Sequence, residues 1–451
     1  MASAADSEST FDLSKLEKLL ADSDYINLTE EIKENLTPKT AGDCLRDEES
    51  KSKISFVSTV LDKTLQNISS EPNDDLFALA AQCYRVLRNM SAFSPELQTY
   101  IACETTVFQT AGKMLDFLQT QKNVSPKCYL SLMQFIGNNT VQNSKTQQLV
   151  WDHFEKQILH CLDSTAELSN VAAMIIYNVL LGDKTRIENH VIYILKTLET
   201  NSSKDIPYTE IIYEYYITNW DTQLSKLYNE LPSTVKLLIF EITKNMIQDE
   251  RTLSPSYLQF LANEFKVKSD CILKTVSTYV EGIEPQEVVS LLNILASASG
   301  MESYKSCFQD DKSLFINCAF LLRAMHSMGK ESDNHFTSIQ RLADLAPGRT
   351  DVEIEAHIAY GFKGQLIRML GNLMYKNPVN QKQIREIDCV GVLLDCCNMD
   401  ARNPLIMQWV ILAVRNMCED CPENQAIILE MRKESSKFTN LCEKAGIVNF
   451  Q

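Results

Sequence analysis

The residues that most resemble a chemical site lie in "RNMCEDCPENQ", residues 415 to 425, where Cys418 and Cys421 stand three positions apart. Two thiols at that spacing can share one metal ion or close a redox ring, so the stretch suggests zinc or disulfide chemistry. A zinc site needs a second pair, and no such cysteine or histidine pair follows at finger spacing. Cys396 or Cys397 from a neighbouring segment remains open as a partner. The six histidines, His153, His160, His190, His326, His335 and His357, form no HExxH pattern. His153 and His160 are a heptad apart, beyond the three- or four-residue step that brings side chains together on a helix. "APGRT" lacks the Gly-Lys-Ser/Thr ending of a phosphate loop, and neither a GxSxG elbow nor a kinase motif set occurs. The expectation is a protein with no catalytic residue, no bound metal and no cofactor.

A different set of polar residues recurs. "YRVLRNMSAFSPELQ", "LMQFIGNNTVQNSKTQ", "LIRMLGNLMYKNPVNQ" and "ILAVRNMCEDCPENQ" each end an apolar helix in Asn and place Gln nine residues later. The pairs are Asn89 with Gln98, Asn138 with Gln147, Asn372 with Gln381, and Asn416 with Gln425. Asn178, in "AAMIIYNVLLG", holds the same place without the Gln. An amide repeated at one point of successive apolar helices either satisfies a neighbouring backbone group or lines a groove that grips an extended peptide. Both readings stand at this level. Asn89, Asn138, Asn178, Asn372 and Asn416 are the candidate protein-binding residues.

The elements that must carry these residues are helices. The chain of 451 residues holds only 13 Gly and 12 Pro, too few for the turns of a large sandwich or barrel. Beyond residue 75 the apolar residues recur at steps of three and four, and "SPELQTYI", "SPSYLQFLANEF" and "NPLIMQWVILAV" read as helix starts, with Ser or Asn capping and proline at the first helical position. The Asn intervals are 49 (89 to 138), 40 (138 to 178) and 44 (372 to 416). Armadillo and HEAT units have about this length, roughly 40 to 47 residues. The segment 404–415 is apolar nearly all round, which predicts burial on most sides within a stack. The fold expected is an all-α, armadillo-like α-solenoid, a right-handed superhelix of about eight to ten stacked repeats.

Composition narrows the function. Apolar residues make up 45% of the chain and the net charge is −16. The first is ample for a packed core, and the second disfavours nucleic acid and acidic membrane surfaces as partners. Residues 1–50 alone hold 13 acidic and 5 basic side chains. No apolar run reaches the roughly 20 residues that a membrane span needs, and the opening "MASAADSEST" lacks the features of a targeting peptide. The 14 cysteines are scattered through apolar helical patterns and read as small buried hydrophobes of a reducing compartment. The predicted organisation is a disordered tail at 1–10, helical repeats over 11–330 that diverge between 180 and 330, further repeats over 336–435, and a tail at 436–451. "GKESDNHFTSIQRLADLAPGRTDVE", from Gly329 to Glu353, reads as a long loop. An acidic groove is expected to favour proteins offering extended or basic segments. The oligomeric state stays open, with a homo-oligomer among the possibilities.

The C-terminal phrases "GFKGQLIRMLGN" and "NPLIMQWVILAVRNMCEDCPENQ" resemble the C-terminal domain of the ataxin-10 family over about residues 340 to 431, and "LRNM" and "QFIGNN" extend the likeness more loosely toward the N-terminus. The resemblance implies a non-catalytic, armadillo-like cytoplasmic scaffold linked with neuron survival, neurite outgrowth, cytokinesis and cilium-related complexes. It implies perinuclear, centrosomal, ciliary-base or midbody locations as well. In armadillo proteins the Asn of the third helix lines the groove, the place that the five Asn residues match. A regulator or chaperone of a guanine-nucleotide-binding protein is the alternative such a build allows.

Overall fold

The computed structural model describes residues 13–38, 47–120, 125–276, 283–331, 334–339 and 358–434. The expected tails at 1–10 and 436–451, and most of the loop predicted over 329–353, lie outside them. Among the described residues every regular element is a helix, and no helix is long and apolar enough to cross a membrane. The chain divides into two compact units, Met1–Ile212 and Tyr213–Gln451, and the division falls inside one helix.

The first unit contains α1 (Leu13–Ala21), α2 (Tyr25–Asn35), α3 (Asp47–Ser70), α4 (Asp74–Phe93), α5 (Pro95–Glu104), α6 (Val107–Thr120), α7 (Pro126–Asn138), α8 (Ser144–Leu162), α9 (Ala166–Gly182) and α10 (Val191–Thr200). Helix α11 (Pro207–Thr218) carries the boundary. The second unit continues with α12 (Thr222–Leu227), α13 (Ser233–Gln248), α14 (Pro255–Lys268), α15 (Ile283–Ala298), α16 (Lys312–Glu331), α17 (Phe362–Met374), α18 (Pro378–Glu386), α19 (Val390–Asp395), α20 (Ile406–Cys418) and α21 (Pro422–Glu434).

Each unit is a run of helical repeats, as the armadillo-like class requires. In the first unit α4, α7 and α9 stack side by side, and α5, α6 and α8 pack along them. In the second unit α13, α15, α17 and α20 form the corresponding stack, with α14, α16, α18 and α21 alongside. Among the stacked helices α13 and α15 carry none of the five repeated Asn residues, while α4, α7, α9, α17 and α20 carry them toward their C-terminal ends. Their inward faces supply the core: Tyr84 and Leu87 of α4, Phe135 of α7, Ile175 of α9, Phe362 and Leu370 of α17 and Val410 of α20 are all buried. Full burial of one such side chain contributes about 1.5–3 kcal/mol, so a helix contributing several of them is held by its neighbours rather than by its own propensity.

Two of the three predicted helix starts form as read. Ser94 Oγ accepts from the Leu97 amide at 3.2 Å with Pro95 in the first turn, and Ser254 Oγ accepts from the Tyr257 amide at 3.2 Å ahead of Pro255. The third does not. Helix α20 begins at Ile406 instead of Pro404, and Asn403 turns away from it. Asn403 Oδ1 accepts from the Gly364 amide at 3.0 Å, in the first turn of α17. Gly361 occupies the cap position of α17 with φ at +74° and has no side chain to offer, so a residue distant in sequence caps the helix.

The expectation that 404–415 is buried on most sides also fails on one face. Leu405 is 51% exposed, and Trp409 and Leu412, on the same stripe as Asn416, are half-buried.

Candidate functional site

Neither Cys418 nor Cys421 is in a disulfide, and both are buried. Cys418 is the last residue of α20, and its carbonyl accepts from Gln425 Nε2 at 2.8 Å. Cys421 Sγ accepts from Arg385 Nη1 at 3.2 Å. Among the described residues no group of three or more His, Cys, Asp or Glu side chains is placed to hold a metal ion. One arrangement does look like a nucleophile set. His326 lies with Nε2 3.3 Å from Asp395 Oδ2 and Nδ1 3.9 Å from Cys396 Sγ. Burial pushes the Cys396 thiol up to about 11, and desolvation followed by the charge of Lys330 pulls the His326 imidazole below its ordinary value. The thiol therefore keeps its proton at neutral pH, which is the wrong state for attack.

The Asn residues form a repeated bond. Asn138 Nδ2, on α7, donates to the carbonyl of Arg88, the residue before Asn89 on α4, at 2.9 Å. Asn416 Nδ2, on α20, donates to the carbonyl of Gly371, the residue before Asn372 on α17, at 2.9 Å. Asn372 Nδ2 reaches back to the Ala296 carbonyl of α15 at 3.0 Å and to Ser299 Oγ at 3.2 Å. Asn178 Nδ2 meets Thr140 Oγ1 at 3.0 Å, and that hydroxyl donates to the carbonyl of Gly137, again the residue before the stack's Asn, at 2.6 Å. Each amide nitrogen thus ties its helix to the C-terminal end of the preceding one. The Ala296 and Gly371 carbonyls lie in the last turns of α15 and α17, where carbonyls have no partner inside their own helix, and Arg88 lies about a turn further back in α4. Asn89 differs, since its Oδ1 accepts from Arg88 Nε and Nη2, both at 3.1 Å.

The Gln nine residues on has the same kind of task. Gln98, Gln147 and Gln425 donate through Nε2 to the carbonyls of Ser91 (2.9 Å), Thr140 (2.9 Å) and Cys418 (2.8 Å), each two residues past the Asn of its own repeat. Gln98 also bonds the Asn138 and Val141 carbonyls at 3.0 and 3.3 Å. Gln381 makes the matching bonds to Asn416 and Glu419, both at 2.9 Å. Asn380 and Asn424, buried neighbours of these Gln residues, join in through bonds to Leu373 (2.9 Å) and Met417 (2.7 Å). Sequence reading missed both, although each directly precedes a signature Gln.

Close approach makes the bond possible. At Gly371 an added Cβ would lie 3.0 Å from Ala413 Cα, so α17 and α20 meet there nearly backbone to backbone. The phrase "GN" at 371–372 therefore combines a contact surface with a staple.

The outward stripes of the stacks carry the remaining chemistry. On the first stack they show Arg85 and Arg88 of α4, Gln134 and Asn138 of α7, and Met174, Asn178 and Leu181 of α9. Arg88 is spent internally: beyond its bonds to Asn89, Nη1 donates to Gln134 Oε1 at 2.6 Å. Burial, then the like charge of Arg85, pull its guanidinium below the ordinary value. On the second stack the stripes show Glu241 and Lys244 of α13, Ser297 of α15, Gln365, Arg368 and Asn372 of α17, Leu405 at the cap of α20, and Trp409, Leu412 and Arg415 within α20. Arg368 lies over Trp409, Cζ to ring centroid 4.8 Å, and its Nη1 is 3.4 Å from both Ser297 Oγ and Gln365 Oε1. Asn245, also missed, is exposed on α13, and its "KNM" echoes the "RNM" at Asn89 and Asn416.

Comparison with known proteins adds the following. Residues 362–449 match the family model described as the spinocerebellar ataxia type 10 protein domain. Ataxin-10 of Bos taurus is 26% identical over 384 residues, covering 82% of this chain and 79% of the relative. Ataxin-10 of Homo sapiens is 27% identical over 383 residues, with the same coverage on both sides. An ataxin-10 homologue of Dictyostelium discoideum is 49% identical over 72 residues, 16% of this chain and 12% of the relative. Among solved structures, the SYS-1/POP-1 complex gives a TM-score of 0.38 at 12% identity, over 96% of this chain and 84% of the other.

Proposed function

Because the chain belongs to the ataxin-10 family, we propose that it acts as a non-catalytic scaffold that binds other proteins along the outward stripes of its two helical stacks. The observation that carries this reading is the alignment of amides, guanidinium groups and the half-buried Trp409 on successive stacked helices, a pattern suited to an extended chain rather than a small molecule. Each stapling Asn has its amide nitrogen engaged with a neighbouring helix. Asn138, Asn178, Asn372 and Asn416 then serve the surface mainly by holding the stripes in register, and the oxygens of the half-buried Asn138, Asn178 and Asn372 are what a bound main chain meets. Asn89 stands on the same stripe with its oxygen taken by Arg88. The compartment that fits this role is the cytoplasm, and the neurite, cytokinesis and cilium connections of the resemblance are read as assemblies that the scaffold joins.

A photo-crosslinking residue placed at Gln365 or Gln134, compared with one at exposed Lys382 on α18, tests the reading. Discrete protein adducts from the stripe positions and none from Lys382 are expected. Adducts from Lys382 alone would overturn it.

A further inference from the structure

The partner-facing charge of the second stack departs from the charge of the chain. The molecule carries 59 acidic and 43 basic side chains, yet the stripe around Asn372 presents Arg368 and Arg415, and among the described residues neither is in an ion pair. Arg368 is also held in place before any partner arrives. The Trp409 ring lies against its guanidinium, and Ser297 and Gln365 touch one nitrogen at 3.4 Å, near the outer limit of a hydrogen bond. Burial pulls its pKa below the ordinary value, so the folded protein bears a desolvation cost for this charge that no carboxylate of its own offsets. Elsewhere in this unit Glu302 is paired with Lys305 at 2.6 Å, and the charge of Glu419 acts on Lys376.

We propose that the stripe formed by Gln365, Arg368, Asn372, Trp409, Leu412 and Arg415 docks an extended, Asp/Glu-containing segment of a partner protein, one carboxylate seated on the Arg368 guanidinium. This rests on the scaffold reading and names the partner chemistry of its second stack. A fork of N–H donors pre-ordered on an aromatic ring recognises a carboxylate at little entropic cost. The half-buried Trp409 and Leu412 receive an apolar side chain beside it. Packed helices lie about 8–10 Å apart and an extended chain advances about 3.3–3.6 Å per residue, so a segment crossing from α17 to α20 offers Arg368 and Arg415 acidic residues about three positions apart. The acidic groove expected from net charge, and the basic partner expected with it, do not describe this stripe.

The test uses the full chain and three fluorescein-labelled 15-residue peptides, repeats of Asp-Leu-Ser, Lys-Leu-Ser and Ser-Leu-Ser, read by anisotropy. The acidic probe is expected to bind at least about tenfold tighter than the other two, a difference of about 1.4 kcal/mol. That preference should be lost in Arg368→Glu, weakened in Arg415→Glu and unchanged in Lys382→Glu, at the exposed off-stripe position on α18. Because Arg368→Glu could disturb α17, helical content and melting are measured alongside, and the exposed Arg415→Glu provides an independent reading. Tighter binding of the basic probe, acidic binding indifferent to both second-stack variants, or binding only when phosphoserine replaces the aspartates would overturn the proposal. Failure here with adducts still recovered from Gln365 removes the acidic partner and leaves the scaffold, whereas loss of those adducts removes the scaffold itself.

Discussion

The two stacks use one staple and expose different chemistry. In the first, Arg88 turns inward along the surface, and its donors meet Asn89 and Gln134 at 2.6 to 3.1 Å. In the second, Arg368 is one turn before its Asn, lies on Trp409 and makes only two long contacts. Moving a guanidinium from the residue before the Asn to the fourth residue before it changes a cation spent on neighbours into one available to a partner. The difference shows that the repeated Asn residues mark the staples of the stack; under the docking proposal, the residues one turn earlier set what the stripe binds.

The comparison can be broken first at the glycines. An added Cβ at Gly371 meets Ala413 backbone at 3.0 Å, whereas at Gly137 it meets the Met174 terminal methyl at 2.4 Å. A methionine end swings away cheaply and a packed backbone does not. Gly371→Ala should therefore be more destabilising than Gly137→Ala by about 1–2 kcal/mol in urea unfolding, since the gain in helix propensity is common to both. Equal effects would mean that the second stack has as much slack as the first.

Removing the staples should separate the units less. Asn416 is buried, and Asn416→Ala leaves the Gly371 carbonyl without that donor, at a cost of about 1–2 kcal/mol. Asn138 is half-buried, water can replace its amide, and Asn138→Ala should cost about 0.5–1 kcal/mol. If Asn416→Ala instead abolished binding in the anisotropy assay with melting unchanged, the amide would be a contact residue rather than a staple.

A smaller difference is expected with pH. His326, in the second unit, is held neutral by desolvation and by the charges of Lys330 and Lys363, against the opposing pull of Asp395. Its folded pKa lies below the ordinary 6.5, so the unfolded chain takes up the proton first. The associated stability is present above about pH 6.5 and is lost as pH falls toward the lowered value. Unfolding midpoints measured from pH 7.5 to 5 should fall less in His326→Gln than in the parent. The smallest effect is predicted for Cys418→Ser with Cys421→Ser, which should leave peptide binding within about twofold, or 0.4 kcal/mol. A stoichiometric metal in the parent, lost from this variant together with binding, would restore a chemical role to the pair.

Much of this was legible in the chain. Steps of three and four between apolar residues, together with Ser-Pro starts, identified the helices, because burial of one face and the capping of orphan amides are local requirements. The Asn and Gln spacing was visible too, and the structure explains it: both amides bond groups at or near the C-terminal ends of stacked helices. Asn380 and Asn424 were missed because a buried amide beside a signature Gln has no local pattern of its own. The Asn403-Pro404 start failed for a related reason. An Asn can cap whichever helix its side chain reaches, and Asn403 reaches Gly364, thirty-nine residues earlier.

By itself, the sequence determined that the chain is helical, that its helices repeat, and which Asn recurs toward the ends of five stacked helices, because helix periodicity, capping and breaking act over a few residues. The tertiary structure alone decided that the amides bind neighbouring helices, that Cys418 and Cys421 lie buried at a repeat junction, and that Arg368 meets Trp409 while Arg88 meets Gln134. Those outcomes depend on which side chains stacking brings within about 3 to 5 Å, a range over which hydrogen bonds and cation–π contacts act and which spacing along the chain does not encode.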